Sequence, residues 1–124
     1  MSKRGDRLLR DLRTFGLGFP GAYRKSPWPE HDDLAVANKT FAFMPVEGEP
    51  FSLSCKLPYT AEVALDLPYA TPTGYGLGKS GWVSFTPSDA QLPGLEQLKE
   101  WVEESYRAQA PRKLVKEFDS RSDG

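Results

Sequence analysis

Phe51-Ser-Leu-Ser-Cys-Lys-Leu57 decides the fold. Phe51, Leu53, Cys55 and Leu57 alternate with Ser52, Ser54 and Lys56, the period that sends successive side chains to opposite faces of a strand. One apolar face and one polar face predict a strand of an antiparallel sheet, covered on one side and solvated on the other. The same face assigns Cys55. Its apolar companions, and the lack of a nearby base in sequence, make it an inert core thiol rather than a nucleophile.

Upstream, Glu47-Gly-Glu-Pro50 reads as a turn, and before it Leu34-Ala-Val-Ala37 and Thr40-Phe-Ala-Phe-Met44 flank Asn38-Lys39, a tight hairpin turn. Ser26-Pro-Trp-Pro29 forbids a helix and predicts an extended loop, entered through a turn at Phe19-Pro20-Gly21. The chain opens with a helix that Asp6 caps and Gly16 stops, with Leu8, Leu12 and Phe15 on one stripe. Arg7, Arg10 and Arg13 recur on another face. They read either as phosphate contacts or as a solvated face with an Asp6 to Arg10 pair.

Downstream, Thr60 is placed to cap a short helix through Leu67 that Pro68 closes. Thr73-Gly-Tyr-Gly-Leu-Gly-Lys-Ser-Gly-Trp-Val-Ser-Phe85 then runs from a glycine loop into a strand over Trp82 to Thr86. Gly78-Lys79-Ser80 resembles the end of a phosphate-binding P-loop, but Thr73 stands where that loop needs glycine. Gly76, Gly78 and Gly81 fit the dinucleotide fingerprint, which requires a following helix whose N-terminus faces the pyrophosphate. A strand follows instead, so neither nucleotide reading holds. Pro93-Gly94 opens a long helix with Leu95, Leu98, Val102, Tyr106 and Gln109 on one face. Pro111 kinks or restarts it, Arg112 to Phe118 forms a last amphipathic turn or two, and Asp119 to Gly124 reads as a polar tail.

At 124 residues, with 39% hydrophobic and 12% aromatic content, the chain suits one folded domain spanning 1–124, with its core at about 6–118. No apolar run reaches the length of a membrane span, and Met1-Ser-Lys-Arg-Gly-Asp-Arg7 lacks the apolar region of a signal peptide. With one cysteine, a cytoplasmic protein is expected. The net charge of −1 gives no global attraction to nucleic acid or anionic lipid. The first quarter is nevertheless basic and the Glu96 to Glu104 helix acidic.

Strands in the middle and helices at the ends predict an α+β fold, an antiparallel sheet covered by N-terminal, middle and long C-terminal helices. Val36-Ala-Asn-Lys-Thr-Phe-Ala42, Cys55-Lys-Leu-Pro58, Pro72 to Trp82, and Glu104-Ser-Tyr106 with Lys113-Leu114 together resemble the MmcQ/YjbR family of small bacterial proteins. The resemblance runs from about Gly16 to Phe118. It rests on Lys39, Phe41, Ala42, Lys56, Pro58, Gly74, Tyr75, Lys79 and Trp82. Leu77, Gly78 and Gly81 stand where the family usually carries methionine, asparagine and histidine. The resemblance implies a CyaY-like, double-wing fold and a DNA-binding label, which rests on likeness to a phage transcription factor's DNA-binding domain.

Two functional readings follow. The first is a non-enzymatic DNA-binding or regulatory module using Lys39, Lys56, Tyr75, Lys79 and Trp82, aided by Arg10 and Arg13. The second is a protein or small-molecule interaction module with an aromatic groove of Trp28, Tyr75 and Trp82. No catalytic residue, cofactor or metal is expected. Glu30-His-Asp-Asp33 holds consecutive residues that cannot all converge on one ion, and it reads as a solvated polar loop. The CyaY-like fold also raises iron binding through acidic residues, which the basic first helix argues against.

Overall fold

The computed structural model of the chain describes residues 3–26 and 28–123. The element order is α1 (Lys3–Leu17), β1 (Tyr23–Lys25), β2 (Asp33–Val36), β3 (Lys39–Ala42), β4 (Leu53–Lys56), α2 (Ala61–Ala64), β5 (Ala70–Pro72), β6 (Trp82–Phe85), α3 (Leu95–Gln109) and α4 (Arg112–Asp123). The class is α+β, as the pattern predicts. The strands form two antiparallel three-stranded sheets, ordered β1-β2-β3 and β4-β6-β5.

The predicted alternation is realised in β4. Leu53 and Cys55 are buried in the core, while Ser54 and Lys56 turn to the other face. On β6, Val83 and Phe85 join the core, where Phe85 stacks on Trp101 with centroids 3.9 Å apart. α1 and α3 pack on each other and on the sheets, α3 against both β3 and β4. On α3, Leu98, Trp101, Val102, Ser105 and Tyr106 are buried, a stripe at helical spacing. The Tyr106 hydroxyl donates to the Pro20 carbonyl at 2.7 Å, which satisfies the polar end of a buried ring.

The two sheets meet at a narrow seam. Phe43 and Ser54 exchange backbone hydrogen bonds of 3.0 and 3.1 Å, and beyond them the strands diverge. Side chains of α3 take over there. The Ser105 hydroxyl donates to the Phe41 carbonyl at 2.6 Å and accepts from the Lys56 N–H at 2.8 Å. One turn on, Gln109 donates to the Thr40 carbonyl at 3.1 Å. Strand groups that lack a ladder partner must be satisfied elsewhere, and here the helix supplies the partner.

Several local expectations are corrected. α1 begins at Lys3, so Asp6 lies in its first turn, where its carboxylate accepts the Gly48 N–H at 2.9 Å. Gly16 does not stop the helix; it lets α1 approach β2, since a Cβ there would lie 2.4 Å from Leu34 Cδ1. The hairpin turn is Ala37-Asn38, at φ 49° and 68°, the paired positive values of a type I′ turn. Lys39 therefore starts β3, opposite Val36. Thr60 makes no side-chain cap of its own helix and donates to Glu104, whose carboxylate accepts the Tyr59 and Thr60 N–H groups at 3.0 and 3.1 Å. α2 is only Ala61–Ala64. The expected polar tail is helical to Asp123, with Gly124 outside the described residues. The short strands β1 and β5, which the pattern missed, are the outer strands of the two sheets.

Candidate functional site

The glycine loop is built by backbone conformation. Tyr75, Gly76 and Gly81 all have positive φ, at 59°, 79° and 89°, and Leu77–Ser80 forms one 3-10 turn between the last two. Gly81 also sits against Leu57, whose N–H donates to the Gly81 carbonyl at 2.8 Å. This turn delivers the chain into β6, with Trp82 opposite Lys56. A pair in this register shares one face of the sheet, here the face away from the core.

On that side a hollow of about 490 Å³ spans the splay between the sheets. The first sheet lends it Lys25 and Lys39; Lys56 and Trp82 come from the second, with Phe43 beside the seam and Leu77 from the 3-10 turn. Lys25 and Lys39 are exposed and Lys56 is half-buried. None of the three is in an ion pair among the described residues. Trp82, only 5% exposed, and Phe43, with ring centroids 5.2 Å apart, make an apolar floor.

The structure sorts the expected site residues. Lys39 and Lys56 come together in the hollow. Lys79 is exposed in the same turn as Leu77 but does not line the hollow. Tyr75 stands free at 105% exposure. Trp82 is a buried floor residue rather than a free stacking surface. The groove expected from Trp28, Tyr75 and Trp82 is not formed: Trp28 is exposed, and neither it nor Tyr75 lines the hollow with Trp82. Lys25 and Phe43 were missed. Lys25 falls in the basic first quarter and Phe43 in a predicted strand, but only the splay brings them to one place.

Arg10 and Arg13 of α1 are committed elsewhere, while Arg7 is exposed. Arg10 pairs with Glu47 at 2.7 Å rather than with Asp6; the hydrogen bond raises the Arg10 pKa and lowers that of Glu47. Arg13 is 6% exposed and donates to the Pro45 carbonyl at 2.8 Å and the Asp32 carbonyl at 3.2 Å. Its Nε also lies 3.3 Å from the Asp32 carboxylate. Burial pushes the Arg13 pKa down, against the opposing pull of Asp32. Arg24 grips both Asp32 oxygens, and this contact holds the Asp32 carboxyl below its ordinary range against the effect of burial. Asp33 moves up, because burial outweighs the 2.8 Å hydrogen bond from the Met44 N–H.

The Glu30 to Asp33 segment is therefore solvated only in its first half, where Glu30 is exposed. Asp32 and Asp33 are buried, and His31 Nδ1 lies 3.4 Å from Asp33. Among the described residues, no group of three His, Cys, Asp or Glu side chains is arranged to hold a metal ion. Cys55 is fully buried and its thiol pKa is pushed far up by burial.

Helices packed against two splayed antiparallel sheets, with a lysine-lined hollow at the splay, define a small α+β module. Its kind is given by the sequence: the YjbR family model matches residues 17–108, and the chain belongs to that family. Its fold is similar to the crystal structure of the Deinococcus radiodurans protein DR2400, a DUF419 domain. The TM-score is 0.64 at 27% identity, over 79% of this chain and 75% of that one. The search of curated proteins finds no match. Among the described residues no helix is long and apolar enough to cross a membrane.

Proposed function

We propose that this YjbR-family domain is a non-enzymatic DNA-binding module of the cytoplasm whose contact surface is the lysine-lined hollow. The observation that carries the reading is the convergence of Lys25, Lys39 and Lys56 on one hollow with no carboxylate partner among the described residues. Unpaired clustered cations are what phosphate binding by counterion release requires. The non-enzymatic part of the reading is supported by the burial of Cys55 and by the commitment of Asp32 and Asp33 to Arg13, Arg24 and the Met44 amide. Lys79 extends the basic surface beside the hollow.

The test is fluorescence anisotropy of labelled DNA at low and physiological salt, with a folded Lys39→Glu/Lys56→Glu variant as control. Salt-sensitive binding lost in the variant supports the reading; binding unchanged by the double reversal removes the hollow as the contact. With so few cations, affinity at physiological salt is expected in the range of non-specific binding, about 10⁻⁴ to 10⁻⁶ M.

A further inference from the structure

We propose, resting on the DNA-binding reading, that the hollow takes single-stranded rather than duplex DNA, with an unpaired base on Phe43, which Trp82 backs from below, and a neighbouring base on Tyr75.

The hollow joins two chemistries that a duplex does not present together. Its lysines suit phosphates, while Phe43, Trp82 and Leu77 offer an apolar floor. In a duplex the base faces are stacked inside, and the outside is sugar and phosphate. A single strand exposes both, and a cationic groove combined with aromatic stacking is the general way such strands are held.

Tyr75 supplies the second observation. Large aromatic side chains usually earn their place by burial, yet this ring is 105% exposed and has no ring contact or cation contact among the described residues. It sits on a backbone of positive φ two positions before Leu77, which lines the hollow. A non-glycine residue there is unfavourable, so the fold alone gives no reason for a tyrosine. Of the arginines that recur along α1, Arg10 is paired with Glu47 and Arg13 is buried against Asp32, which leaves the exposed Arg7 as the one member of that series without an ion pair among the described residues.

The experiment compares a labelled oligothymidylate with a mixed-sequence duplex of equal length by anisotropy at matched low salt. Wild type and Tyr75→Ala are measured, and unlabelled thymidine monophosphate serves as competitor. The single strand is expected to bind about tenfold tighter than the duplex, and Tyr75→Ala to remove about tenfold of that affinity while leaving duplex binding unchanged. The logarithmic salt slope for the single strand should be about −2, from three lysines at −0.7 each. Equal or tighter duplex binding, for which the exposed Arg112, Lys113 and Lys116 of α4 would be the contact, overturns the proposal. So does an unchanged single-strand affinity in Tyr75→Ala, or displacement of the strand by an equal concentration of the mononucleotide. Duplex binding still lost on Lys39→Glu/Lys56→Glu would leave the DNA-binding reading standing; binding of neither DNA would remove that reading itself.

Discussion

The Ser105 hydroxyl donates to the Phe41 carbonyl at 2.6 Å and, with its remaining capacity, accepts the Lys56 N–H. A helix side chain thus stands where a strand-to-strand hydrogen bond would otherwise run. Ser105→Ala keeps the helix but strands both backbone groups in a buried site. Leaving buried groups unsatisfied is expected to cost about 2 kcal/mol, read as a lower urea midpoint with an unchanged denaturant slope. A loss too small to measure would show that water replaces the hydroxyl.

Asp32 is the joint between α1 and the first sheet, and its removal leaves Arg13 buried without its carboxylate. Breaking such a pair from one side makes Asp32→Asn less stable by about 3 kcal/mol at neutral pH. The carboxyl pKa is depressed in the folded chain, chiefly by Arg24. Its stabilisation is therefore present above the ordinary aspartate range and is lost as pH falls through the depressed folded value. Urea melts of wild type and variant across acid pH should converge accordingly. Asp33, raised by burial, acts in the opposite sense, so the difference between the two proteins is the quantity to follow.

Gly16 has no space for a side chain. Its added Cβ would meet Leu34 Cδ1 at 2.4 Å, and Leu34 is fully buried. Gly16→Ala improves helix propensity but overpacks the contact between α1 and β2, with a net loss of about 1 to 2 kcal/mol expected in thermal or urea unfolding. A stabilised variant would mean that Leu34 finds another rotamer without penalty.

Lysine position should matter more than lysine charge. Lys56 lines the hollow and Lys79 does not, so Lys56→Glu is expected to weaken DNA binding more than Lys79→Glu, by severalfold at low salt. Equal losses in anisotropy titrations would point to a diffuse basic surface instead.

Cys55 provides a check on the core. Its thiol is fully buried, with its pKa pushed up. Reaction with a thiol reagent should be negligible in the native protein and appear with the same urea midpoint as the loss of tryptophan fluorescence.

What could be read in the sequence was periodic. The alternation of Phe51 to Leu57 placed β4 and its faces, and the helical spacing of Leu98, Val102 and Tyr106 placed the buried stripe of α3. Lys39 and Lys56 could be singled out in the sequence, but the hollow they share could not. It depends on the divergence of two strands, which no local pattern encodes. Trp82 lines the hollow, but its cover by Phe43 is a contact between two sheets that sequence spacing does not show. Arg13 was misread because helical spacing does not reveal a distant partner, here Asp32 and the Pro45 carbonyl.

The splay has one more consequence. The walls of the hollow belong to different sheets, Lys39 to one and Lys56 to the other. Ser105 and Gln109 sit between them like the spine of an open book. The width of the opening then depends on α3 as well as on either page, and a substitution at Ser105 can retune the hollow without altering any residue that lines it.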